Sequence, residues 1–170
     1  MTTPTAKFVS RNTWCHPAFS YTLHPLHLTA TVVADDEAVT VPAGKFADCL
    51  HIRLDIAPDP EDDGSERNRR LNRINCGQKH MWYARGVGLL RFTFDRADGV
   101  LADVQLTAYR VAAGDDTHLP LAAGNVWEYR TMGFDRDYVQ QNVYEVLATE
   151  SDRHYLMHWA YAHMTSSEQG

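Results

Sequence analysis

The sequence predicts a mainly β protein, in which a curved antiparallel sheet forms a half or full barrel with at most one or two short helices. Two observations support this fold class. Apolar and polar residues alternate along several stretches, with the two-residue period of a strand that has one buried face. Turn residues separate these stretches, and Asp98-Gly99 between two of them is a strong hairpin signal.

The first strands are expected upstream of residue 60. Residues 26–33 are rich in threonine and valine, and residues 39–41 form a short β-branched segment. Residues 50–56 alternate, and the set expected to be buried is Leu50, Ile52, Leu54 and Ile56. The set expected on the opposite face is Cys49, His51, Arg53 and Asp55. Residues 57–70 are polar and contain Pro58, Pro60 and Gly64, which predicts a long exposed loop.

The central hairpin is expected over residues 87–95 and 100–111. Leu90, Phe92 and Phe94 share one face of its first strand. Val104, Leu106 and Ala108 share one face of its second strand. Residues 112–120 contain Gly114 and Pro120, which makes them a candidate internal boundary in a chain otherwise predicted as one β domain over residues 1–170.

The last third of the chain also favours strands. Trp127 and Tyr129 share a face within residues 125–132, and residues 143–149 and 154–164 form two arms around a polar turn. A helix over residues 137–148 is the competing interpretation. Its face would hold Tyr138, Gln141, Tyr144 and Glu145.

Composition narrows the class of protein. The chain has 170 residues, of which 44% are hydrophobic and 22% charged, a balance typical of globular domains. The net charge of −6 argues against nucleic acid as a partner, because phosphate binding needs a basic face. No apolar run is long enough to span a membrane, and residues 1–10 lack the apolar segment of a signal peptide. Composition leaves the oligomeric state open.

Three phrases carry a family resemblance. Residues 39–50 contain the pattern V-P-A-G-x-F-x-x-C-L, residues 82–90 contain Y-A-x-G-V-G-L, and residues 119–129 contain P-L-x-x-G-N-x-W-x-Y. Together they resemble a family of uncharacterised bacterial β-rich domains from envelope and lipoprotein-like contexts. The resemblance implies a curved sheet like the half-barrel of periplasmic lipoprotein carriers, a cell-envelope location and no known catalytic residues. The phrase that opens the family's domain comes last here, which leaves the number of units open.

Metal and nucleophile patterns are weak. The possible zinc or copper ligands near the N-terminus are Cys15, His16, His24 and His27, but their spacing matches no closed site. His154 and His158 on a strand would stand about 13 Å apart, too far for one ion. The sequence therefore predicts no metal, no cofactor and no catalytic residue. A disulfide between Cys49 and Cys76 on adjacent strands stays an open alternative.

The aromatic residues on predicted strands are the main functional candidates. They are Trp82, Phe92, Phe94, Trp127, Tyr129, Tyr155, Trp159 and Tyr161, with His80 or His158 expected near a rim. We expect them to meet on a concave sheet face and to bind a hydrophobic or aromatic small molecule, as a non-enzymatic domain. Two alternatives are a small β-barrel enzyme of cyclase or isomerase type that uses His and Tyr in its cavity, and a purely structural or protein-interaction module.

Overall fold

The computed structural model describes residues 26–60, 62, 64–112, 114, 116–133, 138–150 and 153–164. Within these ranges the chain forms eight strands and one helix. In chain order they are β1 (Leu26–Val41), β2 (Gly44–Pro58), α1 (Glu66–Asn75), β3 (Gly77–Ala84), β4 (Gly88–Arg96), β5 (Leu101–Arg110), β6 (Val126–Gly133), β7 (Tyr138–Glu150) and β8 (Arg153–Met164). The predicted mainly β fold is confirmed.

The strands form one antiparallel sheet in chain order, with β1 and β8 at its edges. The sheet curves without closing in the part of the chain that the structure describes, so the half barrel is the closer of the two predicted shapes. Gly99 adopts φ +81 at the predicted Asp98-Gly99 turn, a backbone region that favours glycine. β4 and β5 therefore form the expected hairpin.

Two segments have a secondary structure that differs from one suggested by the sequence. Residues 66–70, expected in a loop, belong to α1, which begins after Ser65, whose side chain accepts a hydrogen bond from the Asn68 amide (3.3 Å). None of the residues of α1 is buried, and this is why its sequence shows no apolar helical face. The competing helix over residues 137–148 is also wrong, because residues 138–148 lie in strand β7.

Strand register defines two faces of the sheet. A row of directly paired residues on what we call the inner face runs Ile52, Met81, Phe92, Val104, Thr131 and Gln140. The matching row on the outer face runs His51, Trp82, Arg91, Gln105, Arg130 and Gln141. The inner row begins apolar and ends polar, whereas the outer row is polar apart from Trp82.

The core lies on the inner face in two clusters. The larger contains Leu90, Leu106 and Val146, all fully buried, together with Trp127 and Tyr129. The smaller joins Leu26 and Leu28 of β1 to Phe94 of β4 and Ala102 of β5. Since β1 is not a neighbour of β4 or β5 in the sheet, this packing requires the sheet to curve with its inner face concave.

The tip of the β1–β2 hairpin bends toward β5. The register shifts repeatedly between Val32 and Val39, and the Ala43 amide donates a hydrogen bond to the Leu106 carbonyl (3.0 Å). The bend brings Cys49 into the larger core cluster. Cys49 and His51, expected on the face opposite Leu50, are both buried, so both faces of β2 are covered at this point.

Three further expectations concern the whole chain. Cys49 and Cys76 are both free thiols, so the alternative disulfide is not formed. β5 and β6 pair directly on either side of residues 112–120, and the sheet is continuous across this segment. None of the helices that the structure describes is long and apolar enough to cross a membrane.

Candidate ligand-binding pocket

A pocket of about 200 Å³ opens on the inner face between β4 and β7. Leu89 and Phe92 of β4 and Val104 of β5 form an apolar wall. Pockets for drug-sized ligands are larger, roughly 300 to 1,000 Å³, whereas an apolar cavity of about 150 Å³ holds benzene. The volume therefore suits a single ring or the ring-sized part of a longer molecule.

Two tyrosines form the floor and one side of the pocket. The Tyr129 hydroxyl donates a hydrogen bond to the Leu89 carbonyl (2.8 Å), and Tyr144 meets the Tyr129 ring edge-on at 5.8 Å between centroids. Burial raises the pKa of both phenols, most strongly for Tyr129, because a phenolate would be poorly solvated here. Both tyrosines therefore keep their protons at neutral pH.

The opposite wall is polar and is tied together by hydrogen bonds. The Asn142 amide nitrogen donates to the Thr131 hydroxyl (3.1 Å), and the Gln140 amide nitrogen donates to the Asn142 oxygen (2.9 Å). The same oxygen lies 2.9 Å from His158 Nε2. Because an amide oxygen only accepts, Nε2 carries the proton of this hydrogen bond.

His158 also stacks on Tyr144, with ring centroids 4.4 Å apart and planes 8° from parallel. The stack and the Asn142 contact fix the imidazole beside the polar wall. His158 therefore lies next to the pocket, as expected for a rim residue.

The predicted aromatic residues are divided between the two faces. Phe92 and Tyr129 line the pocket. Trp127 lies beside it in the core and donates from Nε1 to the Val87 carbonyl (2.6 Å), and Phe94 belongs to the smaller core cluster. The structure thus places these four on the inner face.

Trp82 and His80 lie elsewhere. Trp82 pairs with His51 and Arg91 in the outer row, and the His51 ring stacks on it at 4.4 Å between centroids. The expectation that Trp82 and His80 share a concave face with Phe92 is wrong. Their neighbour Met81 pairs with Phe92 and faces inward, so the residues on either side of Met81 face outward.

A polar chain on the outer face connects these residues. Glu37 Oε2 lies 2.7 Å from His51 Nδ1, and His51 Nε2 lies 2.8 Å from His80 Nδ1. His80 Nε2 in turn lies 2.9 Å from Gln78 Oε1. Burial lowers the pKa of His80, and the neighbouring His51 and Arg53 lower it further. Among the described residues, no group of three or more His, Cys, Asp or Glu side chains is arranged to hold a metal ion.

Several candidates lie outside what the structure describes. The backbones of Tyr155, Trp159 and Tyr161 lie in β8, but their side chains are outside the described residues. Cys15, His16 and His24 also lie outside, whereas His27 is in β1.

Sequence reasoning missed the polar wall. The predicted site residues were mainly aromatic. Thr131, Gln140 and Asn142 are isolated polar residues in the sequence and were not predicted. The available signal was the two-residue spacing of Gln140, Asn142 and Tyr144, which places all three on one face once β7 is a strand.

No family model, no curated protein and no solved structure matches this chain. The family resemblance of the three phrases stays a prediction. The geometry of the pocket is therefore the basis for proposing a function.

Proposed function

We propose that this domain binds a small apolar or aromatic molecule in the inner-face pocket, and does not transform it. The observation that carries the proposal is the pocket itself. It is ring-sized, lies on the concave side of the sheet and combines an apolar wall with an ordered polar one. A ligand with a ring and one hydrogen-bonding group would match both walls.

The expected affinity is modest. Burying a single ring removes about 150 Å² of apolar surface from water, which contributes roughly 4 kcal/mol. This corresponds to a dissociation constant of about 1 mM before the costs of association are included. Tighter binding requires the ligand to use the polar wall or to extend beyond the pocket.

Binding is favoured over catalysis because the ionisable groups around the pocket are already engaged. Tyr129 donates to a backbone carbonyl and holds its proton, and His158 contacts Asn142. A general base needs a group poised to lose and regain a proton near neutral pH. The raised pKa of each pocket tyrosine works against that role.

The test is an NMR chemical-shift titration with benzyl alcohol, whose single ring and one hydroxyl match the two walls, on the wild type and on Leu89→Trp. Leu89 is half-buried in the apolar wall, so the larger ring should fill the pocket. We expect binding to weaken by about tenfold or more. The matched control is Leu101→Trp, which adds the same ring at an exposed position of β5 and should leave the affinity within about twofold.

Circular dichroism confirms that each variant is folded. The proposal fails if the folded wild type binds no probe. It also fails if folded Leu89→Trp binds as well as the wild type, or if Leu101→Trp weakens binding as much as Leu89→Trp does.

A further inference from the structure

Lys79 is an unusual residue on the inner face. In the register of β3 it lies between Leu54 of β2 and Phe94 of β4, and its ammonium group lies 4.6 Å from the centre of the Phe94 ring. The side chain is half-buried. A cation is thus held against the apolar, concave side of the sheet.

The charge of Lys79 has no anionic partner among the described residues. No carboxylate oxygen of these residues lies within 4.0 Å of its nitrogen. Its neighbours along and across the strands include Leu54, Met81 and Phe94, all apolar. The contact with Phe94 offsets part of the cost of removing the ammonium from water. Burial lowers the pKa of Lys79, because the charged form is poorly solvated here.

Lys79 shares the inner face with the pocket but does not line it. Phe92 is part of the apolar wall, and Phe94 is the next inner-face residue along β4. Two residues of strand span about 7 Å, so a chain of a few carbon atoms leads from the pocket across Phe92 to the ammonium group.

We propose that Lys79 binds the carboxylate of a ligand whose apolar body occupies the pocket, so that the ligand is an aryl-alkanoate or a short fatty acid. The inference depends on the proposed function, because it uses the same pocket. A single ammonium among apolar side chains fits a monoanion. A phosphate would place a second charge and further oxygens where the apolar neighbours offer no donors.

The experiment compares two probes with one carbon skeleton, phenylbutyrate and phenylbutanol, by isothermal titration calorimetry. We expect the wild type to bind the carboxylate about tenfold more tightly than the alcohol. Lys79→Met keeps the length of the side chain without its charge. This variant should weaken the binding of phenylbutyrate about tenfold and leave the affinity for phenylbutanol within about twofold of the wild-type value. Lys79→Arg, the charge-preserving control, should retain the preference for the carboxylate.

The outcomes separate the two proposals. If phenylbutanol binds and phenylbutyrate shows no preference, the role of Lys79 is refuted and the pocket stands. The same conclusion follows if Lys79→Met weakens both probes equally. If neither probe binds the folded wild type, the proposed function fails, and the role of Lys79 fails with it.

Discussion

The two faces of the sheet use tryptophan in different ways. On the inner face, the Trp127 ring is buried in the core and its Nε1 donates to the Val87 carbonyl. On the outer face, Trp82 lies under His51 and Arg91, and its buried Nε1 has no hydrogen-bond partner among the described residues. The inner face therefore combines apolar burial with satisfied polar groups. The outer face holds a ring through stacking, at the cost of one unsatisfied donor.

The comparison predicts where stability resides. We expect Leu106→Ala to lower the free energy of unfolding by about 3–5 kcal/mol, because Leu106 is fully buried and its loss leaves a cavity. Leu101→Ala, on the same strand but 56% exposed, should change it by about 0.5 kcal/mol or less. Urea denaturation measures both values. Similar losses for the two variants would contradict the division into a buried inner face and an exposed surface.

Replacing each tryptophan by phenylalanine sharpens the comparison. Trp127→Phe leaves the Val87 carbonyl without its donor and should cost about 1–3 kcal/mol. Trp82→Phe removes a buried N–H that has no described partner, so stability should be unchanged or should rise slightly. Urea denaturation of the pair measures the difference. A larger loss for Trp82→Phe than for Trp127→Phe would reverse our assignment of the two rings.

The charge of Lys79 also affects the stability of the ligand-free protein. Burial lowers the pKa of its amine below the ordinary value of 10.5, so the folded state disfavours the charged form relative to the unfolded chain. This cost is present at neutral pH, where the amine is charged, and is lost as pH rises above the folded pKa.

Lys79→Met should therefore raise the melting temperature at neutral pH slightly, because water still screens part of the charge and keeps its cost small. Exposed Lys45→Met is the control and should leave the melting temperature nearly unchanged. Differential scanning calorimetry measures both. A lower melting temperature for Lys79→Met would show that the ammonium group stabilises the ligand-free fold.

The smallest expected effect lies in the outer-face histidine chain. The pKa of His80 is lowered in the folded protein from its ordinary value of 6.5, so the unfolded chain takes up this proton first as pH falls. His80 should therefore make stability fall as pH drops below about 6.5. In His80→Gln this part of the decline should disappear, and urea denaturation at a series of pH values would detect it. Parallel pH curves for the wild type and the variant would exclude a contribution from His80.

The sequence predicts which residues of a strand face inward where apolar and polar residues alternate strictly. It does not predict this where the alternation is weak. In β4 and β5 the inner-face residues Phe92, Phe94 and Val104 follow from period-two alternation alone. In β3 the inward residues are Lys79 and Met81, and the outward ones include His80 and Trp82, so hydrophobicity does not identify the buried face. Only the pairing with neighbouring strands determines which face of β3 is buried, because two directly paired residues point to the same side of the sheet.

The candidate site was predictable only in part, for a similar reason. The aromatic members Phe92 and Tyr129 were found as rings on strands. The polar wall depends on the pairing of β6 with β7, which brings Thr131 opposite Gln140. Single-strand patterns contain no information about that pairing. The position of Lys79 on the inner face likewise depends on its register with Phe94.

The strand order has a consequence for folding kinetics. Each strand pairs with the strand before it in the chain, so the sheet can grow one strand at a time without a crossover connection. The contact between Ala43 and Leu106 is different, since it closes a loop of more than sixty residues. Loop closure of that length is entropically costly, so the hairpin tip is the element we expect to dock last. Synthesis from the N-terminus would impose the same order, because the tip emerges well before its partner on β5.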